Sequence, residues 1–257
     1  MVKNTVPLIS VIINADDLGI NNEVNGAIFD LLAKNQITST TVLANGPRVK
    51  EAAAYIHCFP TASFGAHLNL TEFEPLTHGL EQHLSTIRAL RSRCRIMQLA
   101  LKPVILRAVY EEWCCQMDRL VSLGFSISHI DSHHHIHTAP SLLPALKAVQ
   151  RRYGIRSVRI SRNLYVPGCE PSRAVIMSKW VFNCALRRIC ATRTTDAFTN
   201  FVTFCKTAKR DSKSSYKTIE VMVHPGSAGA SEEAQLLQSS WYDTISVPVK
   251  LIPYWQL

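Results

Sequence analysis

Apolar and polar positions along this chain fall into short blocks whose period alternates. Leu8-Ile9-Ser10-Val11-Ile12-Ile13 is a continuous run rich in β-branched residues that ends at Asn14. That is the pattern of a strand buried on both faces of a parallel sheet. Over 22–34 the period becomes helical, with Val24, Ala27, Ile28, Leu31 and Leu32 on one stripe. The same reading gives strands at 37–43, 63–68, 125–130, 157–160 and 218–223. It gives helices at 48–57, at 84–123 with a break near Pro103, at 141–152 and at 173–192. No repeat, low-complexity tract or linker divides the chain, so one domain over 1–257 is expected. Strands alternating with helices predict an α/β fold, a parallel sheet with crossover helices that is either doubly wound or curled into a barrel.

The polar residues that interrupt this pattern gather just past strand ends. Asp16-Asp17 follow the first strand, His67 lies at the third, Asp131 to His137 follow the fourth, Arg162 the fifth and His224 the last. In parallel β/α folds, sites are built from loops at the carboxyl ends of the strands. The five positions therefore point to one shared pocket. Burying them as unpaired structural charges would be costly.

Composition narrows the class. At 257 residues, 47% hydrophobic and 18% charged, the chain has the make-up of a soluble globular protein with a sizeable core. No apolar run approaches the roughly 18–20 residues of a membrane span. The start passes into the first strand without a signal-peptide pattern, so a cytosolic protein without membrane partners is expected. Eight cysteines stand singly apart from Cys114-Cys115, with no CxxC pair, which favours free thiols over disulfides.

The net charge of +9 lies largely in arginine-rich stretches: Arg88, Arg91, Arg93 and Arg95; Arg151, Arg152, Arg156, Arg159 and Arg162; Arg187, Arg188 and Arg193. A nucleic-acid site would place them on one face with aromatics interleaved. Here they are mixed into apolar helical patterns with few aromatics. They read as solvated helix faces, with weak adhesion to polyanions but no specific nucleic-acid partner.

Asn14-Ala15-Asp16-Asp17-Leu18-Gly19 sets two carboxylates back to back after a buried strand. A bound divalent cation would neutralise such a pair and divide its labour, one ligating and one free as a general base. Asp-Asp-x-Gly is equally ordinary turn chemistry, and the motif alone does not choose. His129-Ile130-Asp131-Ser132-His133-His134-His135-Ile136-His137 is denser in imidazole than structural use needs. Imidazole is a common metal ligand, and Asp131 suits the fixing of a tautomer from outside the coordination shell. His67 alone reads as a satisfied strand histidine. Beside the other two motifs it completes a set of one Asp and two His with open positions.

Together Asn14–Gly19, Ile37-Thr38-Ser39-Thr40-Thr41, Gly65-Ala66-His67-Leu68-Asn69-Leu70-Thr71, the histidine block and Glu220-Val221-Met222-Val223-His224-Pro225-Gly226 resemble the YdjC-type carbohydrate deacetylases, a family that includes ChbG-like chitooligosaccharide deacetylases. The resemblance runs from about 8 to 228 in order. It implies a parallel (β/α) barrel-like fold related to the NodB-type polysaccharide deacetylases, with one divalent metal in a carboxyl-end pocket. By residue match, Asp17, His67 and His133 would ligate the metal and Asp16 would be the base. The resemblance implies magnesium, while the donor set equally suits zinc or another transition ion. The chain departs from the pattern from about 229: 239–243 and the tail 247–255 do not match, which leaves closure of the fold open. The arginine-rich 84–110 stretch also differs.

The implied function is metal-dependent removal of acetyl groups from N-acetylated sugars or oligosaccharides. His224, at the last strand end, is the candidate acid for the leaving nitrogen, against a structural role before Pro225. Arg162 is a candidate partner of Asp16, against an ordinary surface arginine. The rival readings are a metal-dependent amide or ester hydrolase for another substrate, and a homologue that binds metal and sugar without turnover. A homodimer is compatible with the sequence.

Overall fold

The computed structural model describes residues 8–83, 102–208, 216–227 and 231–257. Among the described residues eight strands form one sheet: β1 (Ile9–Leu18), β2 (Ser39–Val42), β3 (Ser63–Leu68), β4 (Ile127–Ser132), β5 (Ser157–Val158), β6 (Ala197–Asn200), β7 (Thr218–Val223) and β8 (Val249–Leu251). Their spatial order is β5-β4-β3-β2-β1-β7-β6, all parallel, with β8 against β1. The sheet curls until its edges approach. Ser157 bridges to Arg193, just ahead of β6, and Asn163 N donates to Phe198 O. The α/β barrel-like expectation holds.

The helices are α1 (Asn22–Ala33), α2 (Val49–Ala53), α3 (His78–Glu81), α4 (Pro103–Ser122), α5 (Leu143–Tyr153), α6 (Arg173–Arg188), α7 (Phe201–Ala208), α8 (Ser231–Gln238) and α9 (Trp241–Thr244). The Asn21 side chain caps α1 by accepting from Val24 N, and the helix buries Val24, Ile28, Leu31 and Leu32 along the stripe read from sequence. Pro103 opens α4 at the position where a missing N–H costs nothing. α4 buries Trp113, Met117 and Leu120; truncating a residue such as Trp113 would cost about 3–5 kcal/mol. None of the described helices is long and apolar enough to cross a membrane. The seven described cysteines are free.

Several boundaries differ from the sequence reading. The first strand continues past Asn14 to Leu18, and the fourth is shifted to end at Ser132, so Asp16, Asp17 and Asp131 lie within strands. The fifth strand is two residues instead of four. α3, β6, α7, α8, α9 and β8 were not anticipated. The helix expected at 84–101, with Arg88, Arg91, Arg93 and Arg95, lies outside the described residues.

The unmatched tail closes the fold. β8 pairs with Ile9–Val11 of β1, below the stretch of β1 that pairs with β2. Ile252 N donates to Val11 O, and Thr38 Oγ1 donates to Ile252 O. Beyond them Tyr254 is wholly buried and stacks on His129, with ring centroids 3.6 Å apart.

Candidate active site

A β-bulge builds the site. Between the pairs Ala15↔Thr40 and Leu18↔Val42, β1 spends one residue more than β2. Asp17 takes φ 72° there, a left-handed conformation that Asp tolerates better than most residues. Successive side chains of a regular strand face opposite sides. The bulge breaks that alternation and lets both Asp16 and Asp17 reach the polar centre of the sheet. Such a conformation costs on the order of 1–3 kcal/mol and persists only where surrounding contacts over-determine it.

Those contacts are two imidazoles. Asp17 Oδ1 lies 3.2 Å from His67 Nε2 and 2.8 Å from His133 Nδ1. His67 Nδ1 faces Asp131 Oδ1 at 2.6 Å, so Asp131 fixes the tautomer and leaves Nε2 toward Asp17. The donor atoms of Asp17, His67 and His133 lie within 4.8 Å of one another, and all three residues are buried. Burial alone would lower the His67 pKa, but the charge and hydrogen bond of Asp131, with Asp17 and Asp16 beside them, raise it to about 10. Burial would raise Asp17, yet hydrogen bonds from His133 and His67 hold it well below the usual carboxylate range.

This donor set fits a divalent cation. It is one carboxylate and two imidazoles, converging, buried, and oriented by a further carboxylate. The surroundings are also short of positive charge: Asp16, Asp131 and Glu220 share one guanidinium. A second group, Glu72 with His133 and His134, adjoins the first; His133 Nε2 lies 3.3 Å from Glu72 Oε2.

The guanidinium belongs to Arg159, and here the structure corrects the sequence reading twice. Arg159 is not on a solvated face but wholly buried, and it, not Arg162, pairs with Asp16. Its Nη1 and Nη2 reach Asp16 Oδ2 and Oδ1 at 2.8 and 2.7 Å, Nη1 also reaches Asp131 Oδ2 at 2.6 Å, and Nε reaches Glu220 Oε1 at 2.6 Å. Phe198 lies under the guanidinium, which sits 4.9 Å from the ring centroid. Arg162 donates to Leu164 O and Thr203 Oγ1 instead. Burial raises the Asp16 pKa, but Arg159 outweighs it and keeps the carboxyl ionised. At Glu220 burial prevails, and its pKa rises to about 7 despite Arg159 and a hydrogen bond from the Tyr254 hydroxyl.

His224 stands on the opposite rim, half-buried, with Nε2 3.9 Å from Asp16 Oδ2. Its backbone N–H donates to Glu233 Oε1 of α8. Three further histidines have surroundings of their own. His137 donates from Nε2 to Arg159 O and accepts at Nδ1 from Ser132, and burial lowers its pKa to about 4. His134, exposed at the rim, meets Thr71 Oγ1 through Nδ1. His129 lies inside the sheet; a Cβ on Gly65 would fall 2.4 Å from its ring, so the glycine makes room for the imidazole.

Four of the five predicted strand-end positions thus converge, and Arg162 does not join them. Sequence reasoning missed Arg159, Glu220, Tyr254 and Glu233. For Arg159 and Glu220 a signal existed: each is a charge inside an apolar strand run, which demands a partner.

Comparison with known proteins gives the chain a family. The family described as YdjC-like protein matches residues 10–246, well past the limit of about 228 read from motifs. Carbohydrate deacetylases are similar to the chain: one from Vibrio campbellii at 35% identity over 56% of this chain and 57% of its own length, and one from Halalkalibacterium halodurans at 31% over 56% and 61%. Another, from Geobacillus stearothermophilus, is 33% identical over 61% and 62%. The matches thus span little more than half of those relatives' length. A crystal structure from Enterococcus faecalis V583, named as a candidate cellobiose-phosphate cleavage protein, shares the fold at TM-score 0.67 and 21% identity, over 96% of this chain and 98% of that one. This chain belongs to the YdjC-like family.

Proposed function

We propose that the protein is a metal-dependent carbohydrate deacetylase that hydrolyses the acetamide of N-acetylated sugars or oligosaccharides. The observation that carries the reading is the convergence of Asp17, His67 and His133 beside an arginine-held Asp16, with His224 across from it. The names of the relatives support the substrate class.

Asp17, His67 and His133 would hold one divalent ion, magnesium by family resemblance, though the donors equally suit zinc. Such an ion supplies Lewis acidity toward a carbonyl and a water. The protein's own part is proton handling. Asp16 Oδ1 is occupied by Arg159 Nη2 and Asn14 Nδ2, whereas Oδ2 receives, among the described residues, only Arg159 Nη1 and faces His224. A carboxylate oxygen offers two lone-pair sites. Oδ2 therefore keeps the acceptor that takes a proton from the attacking water, and His224 Nε2 delivers one to the leaving nitrogen. Free thiols agree with a cytosolic setting.

The test is acetate release from N-acetylglucosamine oligomers with several added metals. Asp16→Asn should keep metal affinity within a few-fold and lose roughly 10²–10⁴ in rate. Asp17→Asn should lose the metal first. Equal loss of metal in both variants would reject this division of roles.

A further inference from the structure

We propose that α6 is a docking helix for an anionic lipid bilayer surface. Its sequence, RAVIMSKWVFNCALRR, contains no carboxylate. Only Phe182, Asn183 and Leu186 are buried. Facing outward are Val175 and Ile176 at 41% exposure, Met177 at 59%, Trp180 at 61% and Val181 at 53%. Positions 173, 176, 177, 180, 184 and 188 recur at the helical spacing, so Ile176, Met177 and Trp180 form a ridge with Arg173 at one end and exposed Arg188 at the other, while Arg187 donates to Thr194 Oγ1 and Thr195 O. An apolar ridge holding a tryptophan and flanked by arginines is the composition of a helix that lies in a membrane interface.

Charge decides between occupants. A second copy packed antiparallel on this ridge would set Arg173 beside Arg188 of that copy, with no carboxylate on either helix to offset them. The arginine-rich stretch 84–101 has no Asp or Glu in its sequence and is no better matched. The one acid just ahead of the helix, Glu170, accepts from Gly168 N. Lys179, on the flank of the ridge, donates to Tyr165 Oη. What complements the face is an apolar layer under a negatively charged surface, to which each nearby Arg contributes about 1 kcal/mol. The inference does not rest on the deacetylase reading.

The full chain should co-sediment with vesicles of roughly 3:1 phosphatidylcholine to phosphatidylglycerol, and not with phosphatidylcholine alone. Met177→Ser with Trp180→Ser should weaken binding by about tenfold or more. Trp180→Phe should restore it while abolishing the blue shift of fluorescence seen on binding. Arg173→Glu with Arg188→Glu should weaken it and reduce its salt dependence. Acetate release from a soluble substrate should not change in any of these variants. The proposal is overturned by absence of binding to the charged vesicles, or by binding indifferent to Met177 and Trp180, which would be adhesion through the overall +9 charge. A concentration-dependent dimer abolished by Trp180→Ser would overturn it too, by making the ridge an interface between copies.

Discussion

The Tyr254 hydroxyl donates a hydrogen bond to Glu220 Oε2, and Glu220 Oε1 in turn accepts from Arg159, whose guanidinium grips Asp16. A residue from the tail is thus joined to the candidate base through one carboxylate and one cation. Tyr254→Phe keeps the ring stacked on His129 but strips a buried acceptor of its donor. A loss of about 1–3 kcal/mol is expected, measured by urea denaturation. Tyr254→Ala also empties the space beneath the sheet and should cost about 3–5 kcal/mol. Equal losses in the two variants would mean that the ring contributes little beyond its hydroxyl, and no loss in Tyr254→Phe that the hydroxyl contributes little.

Arg159 and Arg162 make opposite predictions although they are three residues apart. Removing Arg159 leaves Asp16, Asp131 and Glu220 without their shared cation. Arg159→Met should destabilise by about 3–5 kcal/mol or prevent folding altogether. Arg159→Lys should recover only part of this, because an ammonium cannot span the same fork. Arg162→Ala should cost under about 1 kcal/mol by the same measurement. A reversed order would return the pairing of Asp16 to Arg162.

His224 is tested by changing the leaving group. If it donates the proton, His224→Ala should depress kcat on an acetamide far more than it raises KM. The loss should shrink on an activated acetate ester, whose leaving group needs no proton. Matching losses on both substrates would recast His224 as a positioning group for the substrate.

Buried neutral histidines set an acid limit. Burial lowers the pKa of His129 to about 3 and of His137 to about 4, against about 6.5 in the unfolded chain. A depressed base binds its proton later in the folded state. Its stabilisation is therefore full above pH 6.5 and drains away as pH falls toward 4 and then 3. Tm should decline across this window, and His129→Gln should make the decline shallower. A Tm that is flat between pH 6.5 and 4 would contradict this.

Elements with continuous apolar runs were legible from sequence, and those decided by tertiary context were not. β3 and β7 lie where Ser63–Leu68 and Thr218–Val223 predict them. β6 and β8 are four and three residues long, and β8 is framed by Pro248 and Pro253, so neither carries a readable period. The motifs that hold Asp17, His67 and His133 were legible as blocks past strand ends, while the choice of these three among the neighbouring carboxylates and imidazoles came from the family resemblance; the structure brings them together. The bulge that turns Asp17 inward was not, since an extra residue shows itself only against a partner strand. Arg159 was misplaced because a charge in an arginine-rich stretch reads as solvent-facing. Its place in a buried strand run was the better guide.

The shared edge of β1 also bears on how the chain is made. Ile9–Val11 are synthesised well over 200 residues before their partners on one side, Val249–Leu251. At about 5–20 residues per second, those backbone groups stay unpaired for on the order of ten seconds to a minute. Contacts this distant in sequence also slow folding of the free chain. The nascent chain therefore carries an apolar, open-edged strand throughout the synthesis of the residues between them, and that strand is where chaperone binding or misassembly would begin.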